Sequence, residues 1–264
     1  MPEPTIGLTE QQLDSFNKNG FLVIENFTTP EEVNQLREIY TRLFSERVGW
    51  DSGSQFDLAG TDDDDQPSLP QLLGPSRFAP ELKDTLYRAN ARAVARQILG
   101  PEMNDKNGEH MIYKPPKIGA ATPWHQDQAY HAPDATYNGV NFWMPLDNAT
   151  VESGCLQFVP GSHKLDVLPH HTINHDPRIH GLEVDNPEQY ASQAVPCPVP
   201  AGGVSLHACY MLHYAEPNRT DTPRRAYTIT FRTPPIRRDV PLKMPWRENR
   251  QTARDARAKA SQSM

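Results

Sequence analysis

Proline constrains this chain more than any other feature, since 26 of its 264 residues are proline, about double the usual share of ~5%. A proline fixes φ and removes a backbone donor, so it interrupts helix interiors and central strands. Many short elements joined by substantial loops are therefore expected. The length suits one large domain better than two. The formal charge of −7 argues against a nucleic-acid partner or an anionic membrane held by bulk electrostatics. No apolar run reaches the ~18 residues of a membrane span, and the opening Met1-Pro2-Glu3-Pro4 lacks the basic and apolar regions of an export signal. Cys155, Cys197 and Cys209 are odd in number and lack CxxC spacing, so they support neither a disulfide framework nor a Cys-rich zinc site. They fit buried thiols in a reducing compartment, the cytoplasm.

Local grammar predicts helices first and strands later. Thr9 with Gln12 forms a capping-box pattern opening a short helix over 11–19, which Gly20 ends. Phe21–Ile24 is a short apolar strand, and Thr29 with Pro30 starts a second helix. That helix carries Val33, Leu36, Ile39, Tyr40 and Leu43 on one stripe suited to packing on a sheet. Residues 51–80, with the acidic run Asp62–Asp65, read as a mobile loop or active-site lid; the run lacks the alternating ligands of a calcium loop. Residues 81–99 return to helix and stop at Gly100-Pro101.

From about 109 onward, short β-branched and aromatic segments (110–113, 140–146, 154–159, 203–209 and 224–233) predict an antiparallel sandwich or barrel. Residues 164–199 read as an insertion at a pocket rim, and 247–264 as a polar tail, frayed or disordered. The expected organisation is one domain over 1–246.

The sharpest local signal is Trp124-His125-Gln126-Asp127. On a strand, the period of two would aim His125 and Asp127 at one point, as two members of a 2-His-1-carboxylate set that leaves metal positions open. HxD alone is weak, and a hydrogen-bonded histidine beside an exposed aspartate is the competing reading.

The stretch Gly202–Asn218, with His207, His213 and Pro217-Asn218, followed by Pro223-Arg224-Arg225-Ala226, resembles the phytanoyl-CoA dioxygenase family of Fe(II)/2-oxoglutarate oxygenases. Gly20–Ile24, Lys114-Pro115-Pro116, Gly154–Gln157 and Pro160–Lys164 add to the match, which covers roughly 8–233. The resemblance implies a mainly β double-stranded β-helix (jelly roll, cupin-like) with flanking helices, Fe(II) and 2-oxoglutarate as cofactors, and O2 and a small molecule, such as a secondary metabolite, as co-substrates. It implies His125, Asp127 and His213 as iron ligands, with His207 the rival for the third place and otherwise a structural histidine. It also implies Arg224, eleven residues after His213, for the far carboxylate of 2-oxoglutarate, with Trp143 and His110 bordering that cofactor. An arginine's planar fork suits a carboxylate bidentately, and the face of Arg224 continues with the small Ala226, Thr228 and Thr230, whereas Arg225, Tyr227, Ile229 and Phe231 should pack outward.

Where the family often has Gly-Ser after its last histidine, this chain has Tyr214-Ala215, which removes a hydroxyl contact. A carboxylate at Asp127 disfavours halogenation, because family-like halogenases leave that place to chloride. Hydroxylation of an unactivated C–H bond is the expected outcome, with desaturation, epoxidation or ring formation on the same iron. Two further classes compete: a His2Asp zinc hydrolase, which gives Arg224 no role, and a non-catalytic cupin-like binding protein. Of the other histidines, His131, beside Tyr130, should sit near the pocket mouth, and His163, His170, His171, His175 and His180 read as solvated. The net negative charge disfavours a highly anionic CoA ester unless one local basic patch exists.

Overall fold

The structure is a computed structural model that describes residues 1–63, 66–248 and 250–262; Asp64 and Asp65 of the acidic run lie outside the described residues. Helix α1 (Glu10–Asn19) has the expected capping box, with the Thr9 side chain accepting from the Gln12 amide. It closes on Gly20 at φ 87, a left-handed position where a Cβ would also meet the His163 ring, so only glycine fits. Strand β1 (Phe21–Ile24), helix α2 (Pro30–Ser45), strands β2 (Gln55–Asp57) and β3 (Pro70–Leu73) and helix α3 (Leu86–Leu99) follow. The remainder holds β4 (Asn104–Lys114), β5 (Thr122–His125), β6 (Ala135–Thr136), β7 (Gly139–Pro145), β8 (Leu156–Phe158), β9 (His170–Thr172), β10 (Leu182–Val184), a short α4 (Glu188–Ala191), β11 (Val195–Cys197), β12 (Val204–Ala208), β13 (His213–Ala215), β14 (Arg224–Arg232) and β15 (Ile236–Arg237). Helices α5 (Pro245–Glu248) and α6 (Ala253–Gln262) end the chain. None of its helices is long and apolar enough to cross a membrane among the described residues.

Two antiparallel sheets form the jelly roll: a seven-stranded sheet in the order β1-β12-β7-β14-β4-β3-β2, and a four-stranded sheet in the order β11-β8-β13-β5. The alternation along β14 decides what each face does. Tyr227, Ile229 and Phe231 join Phe142, Met144 and Leu206 in the core under α1, α2 and α3, which contribute Phe16, Leu36, Tyr40, Leu43 and Val94. The other face turns Arg224, Thr228 and Thr230 into a cavity between the sheets. The helices thus seal one side of the large sheet and leave its inner face for chemistry.

Three expectations are corrected. Residues 51–80 are not simply a loop: β2 and β3 extend the large sheet through β4. The 164–199 insertion contains a folded hairpin, β9 paired with β10, whose neighbour Gly181 donates to Leu58 O at 2.9 Å. The tail is not frayed up to residue 262, because α6 docks. Its Arg257 donates to Trp50 O at 2.8 Å and Gln55 O at 2.7 Å and pairs with Asp62 at 2.5 Å, while the Arg254 guanidinium lies 4.4 Å from the Phe56 ring centre. Charge-assisted bonds and cation–π contacts hold this helix without an apolar stripe.

Candidate active site

His125 and His213 are direct cross-strand partners between β5 and β13, which brings their rings to a centroid separation of 4.2 Å. Each ring is oriented by its own backbone: Nδ1 donates to Pro123 O at 2.7 Å in His125 and to Met211 O at 2.9 Å in His213. That fixes the tautomer and leaves each Nε2 with a free lone pair. Asp127 does not share a strand face with His125 as the sequence pattern suggests. β5 ends at His125, and Asp127 opens a 3-10 turn over Asp127–Tyr130. The turn still carries the carboxylate to the same point, with Oδ1 lying 3.7 Å from His125 Nε2 and 3.9 Å from His213 Nε2. One donor atom from each of the three falls within 4.8 Å of the others. Two neutral imidazoles and a carboxylate are a donor set for a divalent transition metal with positions left open. Burial works to raise the Asp127 carboxyl, but His213, His125 and His207 outweigh it and hold it well below the usual range. Burial first, and then the neighbouring His125, push His213 well below an ordinary histidine. Asp127 and His213 are therefore held in the deprotonated forms that metal binding needs.

The second oxygen of Asp127 is held from behind. The sheet register places His207 opposite Asn141 and Asn141 opposite Thr230. Thr230 donates to the Asn141 carbonyl, the Asn141 amide donates to Asp127 Oδ2, and His207 Nε2 lies 3.3 Å from that same oxygen. His207, expected to be a structural histidine at a strand end, is thus in contact with the carboxylate, and Asn141 was not singled out by the sequence at all. Outer partners of this kind are worth 10- to 100-fold in metal affinity, so Asn141→Ala is expected to weaken Fe(II) binding by roughly that factor. Competition with a chromophoric chelator checks it; unchanged affinity would remove the supporting role.

At the other end of the cavity stands Arg224. It is 1% exposed, and among the described residues its side chain makes one long hydrogen bond of 3.4 Å to Ile112 O and its Nε has no partner. Burial brings the guanidinium down to about 10, so it remains charged at neutral pH. An unpaired buried cation is costly, and a planar fork with no acceptor is suited to an incoming carboxylate. Trp143 packs 5.3 Å from it. Trp143 is also flanked in register by Ser205 and Thr228, whose buried hydroxyls likewise lack partners. His110, opposite Thr228 on β4, lines the same cavity and is pushed down to about 4, chiefly by burial. These orphaned groups fit a small dianion such as 2-oxoglutarate, set between the metal donors and Arg224.

Lys114 and Asn218 explain why two of the sequence blocks recur near the site. Lys114 Nζ donates to Ala120 O, Ala215 O and Glu216 O at 2.6, 3.2 and 2.7 Å. Asn218 Nδ2 donates to Lys114 O, Pro115 O and Thr222 O. Gly154 (φ 87) approaches so closely that a Cβ would lie 2.4 Å from Glu216 O. Together they lock the backbone that leaves His213 and returns as Arg224.

The cavity, about 350 Å³ in volume, is also lined by Tyr130, His131, His180 and Leu58. Tyr130 and His131, expected near the pocket mouth, both reach the cavity wall. His180, expected to be solvated, instead lines the cavity and stacks on Tyr130 at 5.7 Å. His170 is buried, its Nε2 accepting from the Gln126 amide at 3.2 Å.

A jelly roll holding two histidines and a carboxylate at one end of an internal cavity, and a buried arginine at the other, defines a non-haem iron oxygenase of the cupin type. The family model described as phytanoyl-CoA dioxygenase matches residues 16–226, and the chain belongs to this family. Among its relatives, a phytanoyl-CoA dioxygenase domain-containing protein 1 homolog from Dictyostelium discoideum is 27% identical over 85% of this chain and 91% of its own length. The crystal structure of EvdO2 from Micromonospora carbonacea var. aurantiaca is similar, with 39% identity, TM-score 0.80, and coverage of 93% of this chain and 99% of that one. A second EvdO2 structure, complexed with 2-oxoglutarate, is similar at 37% identity and TM-score 0.78, with the same coverage of both chains. The protein is an Fe(II)- and 2-oxoglutarate-dependent oxygenase acting on a small molecule.

Proposed function

We propose that His125, Asp127 and His213 bind the Fe(II), that Arg224 clamps the far carboxylate of 2-oxoglutarate, and that the enzyme hydroxylates an unactivated C–H bond of its substrate. The observation that carries this reading is the pairing of two free Nε2 atoms and Asp127 Oδ1 with a buried Arg224 that faces no carboxylate among the described residues and has no acceptor at Nε along one cavity. When bound, Fe(II) and 2-oxoglutarate supply an oxidising centre from O2, with succinate and CO2 as by-products. The chain's own part is positional. The Pro123 and Met211 carbonyls hold the two rings in the metal-binding tautomer, and Asn141 and His207 keep Asp127 Oδ1 turned inward. Trp143 gives the cofactor an apolar wall, and Thr228 offers a hydroxyl to its oxygens. Tyr130, fixed by the Leu182 amide donating to its hydroxyl at 2.8 Å, shapes the substrate end with His131.

We read residues 1–246 as one oxygenase domain, with the following segment docked against it, and place the protein in the cytoplasm on its three buried free cysteines. The test is a small-molecule screen that counts succinate and weighs the co-product. Hydroxylation adds one oxygen atom, taken from labelled O2, per succinate formed. A co-product that loses two hydrogens and gains no oxygen would replace hydroxylation with desaturation or ring closure.

A further inference from the structure

We propose that the substrate carries an oxyanion group (a carboxylate, sulfate or phosphate) that docks on Arg232 in the cavity, with Arg247 adding to the positive charge there. This rests on the reading of the cavity as an oxygenase site and names the class of molecule that enters it.

Arg224 and Arg232 lie eight residues apart on β14 and both line the cavity. At ~3.3 Å per residue they are too far apart to share one small dianion, so Arg224 leaves the second guanidinium without an assigned ligand. Within a chain of net charge −7, carboxylates are plentiful, and Arg225, Arg238 and Arg257 each meet one within 2.8 Å. Arg232 meets none among the described residues. Its Nε is buried without an acceptor, and its guanidinium faces the Tyr137 ring at 5.8 Å. Arg247, on α5, forms no ion pair among the described residues either, and its buried NH1 nitrogen lacks a partner.

His131, itself lining the cavity, is brought down to about 4 by burial first and then by the charge of Arg232, with Asp127 opposing and Arg247 adding a smaller push. A histidine in that state is neutral and cannot serve as a third cation, but it can donate or accept one hydrogen bond. Arg232, its Nε buried without an acceptor and its guanidinium paired with no carboxylate among the described residues, is electrostatically incomplete, and an anion supplies what is missing. Both arginines lie beyond residue 226, where the match to the family model stops. The local basic cluster also reverses the expectation drawn from the net charge.

The test uses benzoate and benzamide, two probes of one shape that differ in charge. Their affinities are measured by ligand-observed NMR on protein loaded anaerobically with Fe(II) and saturating 2-oxoglutarate, so that Arg224 is already engaged. Wild type is expected to bind benzoate about tenfold more tightly than benzamide, a factor within reach of one charge-assisted contact. Arg232→Gln is expected to bring the two within about twofold, and Arg247→Gln to reduce the preference partly, with 2-oxoglutarate affinity unchanged in both. A wild type without preference for benzoate, or a preference that both variants retain, overturns the proposal. A wild type that prefers benzoate but fails to bind 2-oxoglutarate keeps the anion site and overturns the oxygenase reading instead.

Discussion

Asp127→Ala is expected to lower Fe(II) affinity by more than ~100-fold and to reduce succinate formation below detection, while leaving the apo fold intact. Loss of an outer partner alone is worth 10- to 100-fold, and a direct ligand must exceed that. Asp127 is the one carboxylate of the proposed donor set, so its removal takes away a third of the ligands and the only negative charge that offsets the dication. The apo fold should survive because His125 and His213 keep their own backbone hydrogen bonds. Asp127→Asn, which keeps the shape and one oxygen but not the charge, should fall between alanine and wild type. Iron content by elemental analysis and succinate by chromatography check both. Turnover persisting in Asp127→Ala would remove the ligand assignment.

Arg224→Met is expected to separate stability from function in opposite directions. Truncating one partner of a buried hydrogen-bonded charge pair costs about 2–5 kcal/mol, so 2-oxoglutarate affinity should fall by roughly 30- to several-thousand-fold. The ligand-free protein should be as stable as wild type or more so, because an apolar side chain of similar volume replaces a cation that is buried, unpaired at Nε and held by one long hydrogen bond. Arg224→Lys keeps the charge and loses the fork, and should recover only part of the binding. Thermal unfolding with and without 2-oxoglutarate measures both effects at once. A ligand-free protein strongly destabilised by Arg224→Met would mean that the arginine is structural.

The catalytic end of this pocket was largely legible in the chain, because its residues sit on regular strands or next to them. The alternation along 224–231 separated Arg224, Thr228 and Thr230 from Tyr227, Ile229 and Phe231, and the sheet obeys it. The structure brings the HxD pair together for a partly different reason than alternation along a strand: the strand stops at His125, and a tight turn delivers Asp127. Asn141 and His207 reach Asp127 through register between β12, β7 and β14, and pairing register among distant strands is not written in local periodicity. The docked tail escaped for another reason. Its anchors are Arg254 and Arg257, and a search for apolar stripes sees nothing in a helix held by guanidiniums on carbonyls, a carboxylate and aromatic faces. His180 was misjudged because loop histidines are usually wet, whereas here the 164–199 hairpin folds back over the cavity and buries its ring against Tyr130 and Phe56.

The most direct test of the central claim is an anaerobic titration of the purified apo-protein with Fe(II) and then 2-oxoglutarate, followed in the visible range. If His125, Asp127 and His213 hold the iron as proposed, its chelation by the keto acid would give a weak charge-transfer band. The account predicts that band in wild type, its loss in His213→Ala, and its loss at ordinary 2-oxoglutarate concentrations in Arg224→Met. Iron that binds without the band in wild type, or a band that survives His213→Ala, would contradict it.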